Sequence, residues 1–378
     1  MRVVHVVPAL FGPDGLVGGA ERYALELARH MADIVPTTLV TFGARAREER
    51  IGALDVRVLG DPTYIRGQRS NPFSVEIFHP LQYADVVHCH QQHVFVSSSV
   101  AAWCRLVGKR VVVSDLGGGG WDISSYISTD RWFHRHLHLS EYSREVFGQT
   151  RLSRARVVGG GVDTARFSPD RKVPRDRGAL FVGRLLPHKG VPDLIRSVSR
   201  DLLLTIVGPE PDWETRAQLV SLANGKPVTF KHGLDDLALV DEYRRALCIV
   251  LPSVYRTDDG RETKVPELLG QTLLEGMACE TPAICTRVAS MPEVVVDGVT
   301  GFVVPPNDPA SLAAKLTWLR DHPAEARQMG VAGRQHVLSH FTWPVVVSRC
   351  LEAYGEVEAA LVSRVPEWER SNQGTHSR

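Results

Sequence analysis

The chain has 378 residues, with 44 Lys plus Arg against 43 Asp plus Glu and a formal net charge of +1. At roughly 100–200 residues per domain this length predicts two or three domains, and 43% hydrophobic with 23% charged residues is ordinary globular composition. The balance argues against a nucleic-acid-binding protein, which needs a strongly basic face, and it hides no basic half: residues 1–165 carry a net +2 and the remainder −1.

The opening run MRVVHVVPAL is too short for a secretory leader or a membrane span. It predicts a strand over 2–7, followed by the glycine-studded loop FGPDGLVGG and a helix over 20–31. Short apolar runs at 38–42, 56–59, 86–88 and 110–114 read as further strands, with a helix over 94–107. The second half repeats the pattern, with strands over 179–182, 202–207, 249–251, 283–286 and 302–304. Helices are expected near 192–199, over 268–278, and from 310 to about 365. Apolar strands alternating with amphipathic helices predict α/β domains with parallel, doubly wound sheets. The polar, Pro-rich stretch SPDRKVPRDRG (168–178) is the natural linker. We therefore expect an N-terminal domain over 1–170 and a C-terminal domain over 171–344. A last helix near 345–365 would pack back on the first domain, ahead of a disordered tail over 366–378. Two such domains would face each other across a cleft, because ligands of open α/β sheets bind beyond the carboxyl ends of the strands. The six cysteines form no Cys-x-x-Cys pair, which predicts reduced, mostly buried thiols in a cytoplasmic protein.

Four loops carry candidate chemistry. In the first, Gly12, Gly15, Gly18 and Gly19 let backbone approach a ligand closely, and the following helix offers free N–H groups suited to phosphate. The spacing is not a dinucleotide fingerprint. The second, VGRLLPHKG (182–190), delivers Arg184 and Lys189, a planar fork of donors and a compact charge that suit a diphosphate. Two solvated surface cations is the plainer alternative for the pair taken alone. The third, PELLGQTLLEGMA (266–278), places Glu267 and Glu275 eight apart, and a carboxylate there suits the paired hydroxyls of a ribose. The fourth, ADVVHCHQQH (84–93), ends a strand in His88-x-His90. A packed histidine is expected at 88, whereas His90 should lie nearer the ligand, and no further residue stands at zinc-ligand spacing.

Seven segments in order resemble the retaining glycosyltransferases of family 4: GGAER (18–22), DVVHCH (85–90), SEYSREVF (140–147), GVDTARFSP (161–169), VGRLLPHKG (182–190), the Glu-x(7)-Glu of 267–275, and MPEVVVDGVTGFVVPPND (291–308). The resemblance spans nearly the whole chain. It implies the GT-B fold, two Rossmann-like domains facing a central cleft, and transfer of a sugar from a nucleotide-diphosphate donor (UDP-, GDP- or TDP-linked) to an acceptor hydroxyl with retained configuration. By the same resemblance Arg184 and Lys189, with Gly183 beside them, would hold the diphosphate. Glu275 would bind the ribose and Glu267 the sugar–phosphate region. Gly18 and Gly19 would bring amides to the phosphate–acceptor junction. Leu268, Leu269 and Gly270 would present amides to the sugar hydroxyls, and His90 would sit at the sugar's reacting face. Fixed cations can do a divalent ion's work at a developing phosphate charge, so no metal or other cofactor is expected.

The sequence departs from the family pattern at Gly160, where Asn is common, at Leu269, where an aromatic is common, and in the long charged stretch 255–267. The segment LGGGGWDISSYISTDRWFHRH (116–136) is the least family-like. It reads either as an acceptor-side loop whose aromatics stack on sugar rings or as ordinary core aromatics beside a loop. Six Arg over 131–156 form a basic patch able to touch anionic lipid, although Glu141 and Glu145 dilute it toward a solvated surface. The competing functions are a non-catalytic nucleotide-sugar-binding relic of the fold and a sugar-nucleotide epimerase of the same architecture. An NAD-dependent oxidoreductase is the weakest, because the glycine fingerprint is missing.

Overall fold

The computed structural model describes residues 1–10, 19–117 and 119–362. The expected disordered tail over 366–378 lies outside the described residues. The chain divides into two compact units. One comprises residues 1–139, 148–158 and 346 onward; the other comprises 140–147 and 159–345.

The first unit is built on an eight-stranded sheet. Its strands are β1 (Val3–Leu10), β2 (Thr37–Gly43), β3 (Arg47–Ile51), β4 (Leu54–Gly60), β5 (Val86–His90), β6 (Arg110–Ser114), β7 (Arg135–His138) and β8 (Ala155–Val157). They lie in the order β8-β7-β6-β5-β1-β2-β4-β3, all parallel except β3, which pairs antiparallel with β4. The side-chain alternation of a strand sorts this sheet into two faces. Val4, Val6, Val87, Cys89, Val111 and Val113 join one core with the helix Phe95–Leu106. Val7, Ala9, Leu39, Val56 and Val58 join another with the helix Gly19–Ala32. Continuous Val/Ile/Leu runs are what a sheet covered on both faces requires.

The second unit carries β9 (Ala179–Val182), β10 (Leu204–Val207), β11 (Val228–Lys231), β12 (Cys248–Leu251), β13 (Ala283–Thr286) and β14 (Gly301–Val304). Their order is β11-β10-β9-β12-β13-β14, all parallel. This is the doubly wound dinucleotide-binding order, in which the direction of winding reverses between the first and fourth strands, here β9 and β12. The six cysteines are all buried and unbridged. No helix among the described residues is long and apolar enough to cross a membrane.

The break between units falls at Gly159, not near 170, and the short helix Glu141–Val146 also goes with the second unit. The stretch 168–178 is no free linker. Arg175 donates to the carbonyls of Ala246, Cys279 and Glu280 and to the Thr281 hydroxyl at 2.7–3.0 Å, and Arg244 Nε donates to Ser168 O at 2.7 Å. Polarity and proline content suggested a linker, but Arg175 satisfies a row of carbonyls at helix ends instead. The last helix, Trp343–Val362, belongs to the first unit from Val346 onward, where Tyr354 is fully buried.

The helix Gln271–Ala278, which carries Glu275, packs on β12 through Gly276: a Cβ there would lie 2.6 Å from Ile249 Cγ2. We expect Gly276→Ala to cost about 1–3 kcal/mol by overpacking, and Ile249→Val to relieve part of that cost in the double variant. Chemical denaturation of the four proteins measures the coupling, and strictly additive effects would refute the contact.

Candidate active site

In the second unit the loops leaving β9 and β12 meet at the reversal point. Gly190 is held at φ +67°, and a Cβ on it would lie 1.9 Å from Pro252 O, so only glycine permits this approach. Val254 N donates to His188 O at 2.8 Å, which fixes the two loops together. Lys189 is thereby set against Glu267, and the two form a largely buried ion pair. The Ser253 hydroxyl donates to the same carboxylate oxygen at 3.1 Å. Arg184 is exposed, and its guanidinium makes no hydrogen bond or ion pair with a described residue. Gly183, at φ +154°, lets the chain turn out of β9 while its N–H still bonds Val207 O at 2.9 Å. His188 is half-buried and its pKa is lowered, first by burial and then by the adjacent charge of Lys189, with a smaller contribution from Arg184. A neutral imidazole beside two cations leaves the positive field for an anion.

Glu275 is buried, and Tyr243 OH donates to its Oε2 at 2.8 Å. Gln271 lies within 3.5 Å of Oε1 and donates to Gly161 O at 3.1 Å. Glu267 and Glu275 therefore hold separate partners. Leu268, Leu269 and Gly270 form the turn into the helix, Gly270 at φ +81°, and their amides donate to no described residue. The helix begins at Gln271, after this left-handed residue, rather than at 268. Asp258 pairs with Arg196 at 2.6 Å and Asp259 with Arg261 at 2.5 Å, so the two adjacent carboxylates of the long charged stretch serve different arginines.

The two departures from the family pattern are one feature. A Cβ on Gly160 would lie 2.0 Å from Leu269 Cδ2, so the missing side chain at 160 makes room for the leucine at 269. Gly160→Asn should cost about 1–3 kcal/mol. Combined with Leu269→Ala, it should cost less than the sum of the two single changes, as read by thermal unfolding.

In the first unit, Gly19 opens the helix Gly19–Ala32, exposed and with open space around it. Gly18 and the glycines before it lie outside the described residues. His90 closes β5 and is buried, as is His88. The residue that sequence reasoning missed is His5, which β1 places directly beside His88 in register. His5 Nδ1 lies 2.8 Å from His90 Nε2, and His5 Nε2 lies 3.4 Å from Met31 Sδ. His88 lies 2.8 Å from Ser114 Oγ and 2.7 Å from Tyr354 OH. One ring nitrogen from each of the three lies within 4.8 Å of the other two. The 2.8 Å His5–His90 contact is a hydrogen bond. Phe133 is buried and Trp132 packs on the core, so two of the four aromatics in 116–136 are structural. Trp121 lies under the Arg66 guanidinium at 4.1 Å, whereas Tyr126 is exposed and lines a cavity of about 300 Å³ with His93, Ser124, Thr129 and Asp130.

The family model "Glycosyltransferase Family 4" matches residues 17–166 and "Glycosyl transferases group 1" matches 164–336. The chain belongs to the family 4 glycosyltransferases of the GT-B fold. It is 27% identical over 395 residues to the alpha-maltose-1-phosphate synthase of Mycolicibacterium smegmatis, covering 92% of this chain and 97% of that one. A GDP-mannose-dependent phosphatidylinositol monomannoside mannosyltransferase of the same organism is 34% identical over 57% of this chain and 60% of its own. Sucrose-phosphate synthase from Thermosynechococcus elongatus shares the fold with a TM-score of 0.74 at 20% identity, over 95% of this chain and 99% of that one. The Anabaena HepE structure in complex with UDP and glucose does so with a TM-score of 0.71 at 14% identity, over 94% and 100%. The chain is a glycosyltransferase acting on nucleotide-sugar donors.

Burial depresses the pKa of all three histidines, that of His5 to about 3, and that of His136 to about 4. The unfolded chain takes up these protons below about pH 6.5 and the folded chain does not, so stability is full above 6.5 and falls as pH drops toward 3. Each such histidine steepens the loss by about 1.4 kcal/mol per pH unit. Asp115, whose carboxyl burial raises, acts in the opposite sense. Unfolding free energies between pH 7 and about 5 should show a slope of several protons; a flat profile would contradict a neutral buried trio.

Proposed function

We propose that the chain is a retaining, metal-independent glycosyltransferase that moves a sugar from a UDP-, GDP- or TDP-sugar to an acceptor hydroxyl on a glycan, a glycolipid or a small natural product. The observation that carries this reading is the Lys189–Glu267 pair, held beside an unpaired Arg184 at the strand reversal of the second unit. Breaking a sugar–phosphate bond leaves charge on a diphosphate oxygen. Arg184 answers it with a planar fork of donors. Lys189 carries three N–H groups and can serve Glu267 and phosphate together. The amides of 268–270 supply preorganised donors for sugar hydroxyls, and Tyr243 holds Glu275 for the ribose. In the first unit His90 takes a sugar hydroxyl, and the Tyr126 cavity suits an acceptor rich in hydroxyls.

Retention fits the partners of the carboxylates. Glu267 is bonded by Lys189 and Ser253 and Glu275 by Tyr243, so neither is placed as a covalent nucleophile. Front-face attack through an oxocarbenium-like state, with the departing phosphate oxygen taking the acceptor's proton, needs no such group. Metal independence is supported by Asp258 and Asp259, each committed to an arginine.

A thermal-shift panel of UDP-, GDP- and TDP-sugars should single out one donor, which at a hundredfold excess over Kd adds about 2.7 kcal/mol. With that donor, Arg184→Ala or Glu275→Ala should lower turnover by about 10²–10³ without unfolding, EDTA should leave turnover unchanged, and NMR should find the anomeric configuration kept. Undiminished turnover in both variants would overturn the site, inverted product the retention, and donor isomerisation without transfer would replace the transferase with an epimerase.

A further inference from the structure

The hydrogen bonds around His5 determine which nitrogen of His90 carries a proton. Met31 Sδ is a thioether and can only accept, so the 3.4 Å contact requires a hydrogen on His5 Nε2. His5 is wholly buried, on the face of β1 that meets the helix Gly19–Ala32, and a neutral imidazole carries one hydrogen. Its Nδ1 is therefore bare and must accept across the 2.8 Å to His90. The hydrogen in that contact belongs to His90 Nε2, and His90, itself 1% exposed, is left with a bare Nδ1. That atom is buried and has no partner among the described residues, an unusual state for a buried ring nitrogen. The His88 ring packs against His90, tilted by 31° with centroids 4.2 Å apart.

We propose that His5 is a positioning residue: by accepting from His90 Nε2–H it locks His90 in the tautomer whose Nδ1 is an acceptor, so that His90 selects a substrate sugar carrying a hydroxyl donor at that point. The inference rests on the assignment of His90 to a sugar hydroxyl. Without His5 the His90 proton is free to move to Nδ1, which would then present a donor, and the selection would be lost. Met31 acts one step further back, fixing the tautomer of His5.

Long-range ¹H–¹⁵N correlations on the full-length protein with labelled histidine test the lock directly. In the wild type His90 should show a protonated Nε2 and a bare Nδ1. His5→Leu should move the proton toward Nδ1. His5→Asn, whose Oδ1 stands near the position of Nδ1, should restore the wild-type pattern. Kinetics with the donor and its monodeoxy analogues test the consequence. The wild type should discriminate against one analogue, and His5→Leu should lose roughly tenfold in kcat/KM on the parent donor but little on that analogue, with His5→Asn recovering most of the difference. A protonated Nδ1 in the wild type, or equal losses on parent and analogue in His5→Leu, would overturn the proposal. A wild type that transfers no sugar would instead overturn the proposed function, and the NMR pattern would still decide the tautomer.

Discussion

The close approach of Gly190 to Pro252 is the constraint on which the donor side of the molecule depends. In a doubly wound sheet the point where the winding reverses leaves a crevice beyond the carboxyl ends of the strands, and the loops leaving the two strands there form its sides. Here they touch backbone to backbone, with 1.9 Å between the Pro252 oxygen and the place a Cβ on Gly190 would occupy. Any side chain would force the loops apart and withdraw Lys189 from Glu267 and Ser253. The lysine is four-fifths of the way to burial and would be a costly charge alone. The glycine, the ion pair and the serine therefore act as one unit, set by backbone geometry.

This local construction explains how a chain with a net charge of +1 is suited to a dianionic diphosphate. Charge far from a site is screened over about 8–10 Å of saline, whereas a half-enclosed cation is not. Arg184 and Lys189 lie on one loop of eight residues beginning at Gly183, and after burial their charges add to the lowering of the pKa of His188, against the opposing charge of Glu267. The compensating carboxylates are used to hold cations and tyrosine, so overall neutrality and a local positive field coexist.

Much of this was legible in the sequence because the central strands are continuous apolar runs, and such runs have few other uses. The elements that escaped lie where that signal fails. β3 is the charged segment REERI on an antiparallel edge, β7 and β8 are short and carry Arg and His, and β11 is a half-exposed edge strand. The helix Trp213–Ala223 buries only Leu219 and so has no apolar stripe to read. The unit boundary was placed near 170 because the stretch 168–178 is polar and Pro-rich, whereas the second unit already begins at Gly159 and Arg175 ties that stretch to it. Arg184, Lys189, Glu267 and Glu275 were visible as residue types, but the bonds that define their work, Lys189 to Glu267 and Tyr243 to Glu275, join segments 78 and 32 residues apart. Likewise Gly160 and Leu269 looked like two independent departures until packing made them one.

His5 shows most clearly what a sequence withholds. VVHVVP and VVHCHQ share an alternation, but only the parallel register of β1 and β5 makes His5 a neighbour of His88 and brings it within a hydrogen bond of His90. Burial then decides the charge. In the proposed reaction the sugar develops positive charge as its phosphate leaves, and an imidazolium nearby would oppose that. Burial lowers the pKa of all three rings of this packed trio, so near neutral pH the site keeps the hydrogen-bonding capacity of histidine while excluding its charge. A carboxamide in place of His90 would also be neutral, but it would offer donor and acceptor together. A ring locked by a second ring, as proposed for His90 and His5, presents an acceptor alone while staying neutral, which gives one histidine in this core a use for another.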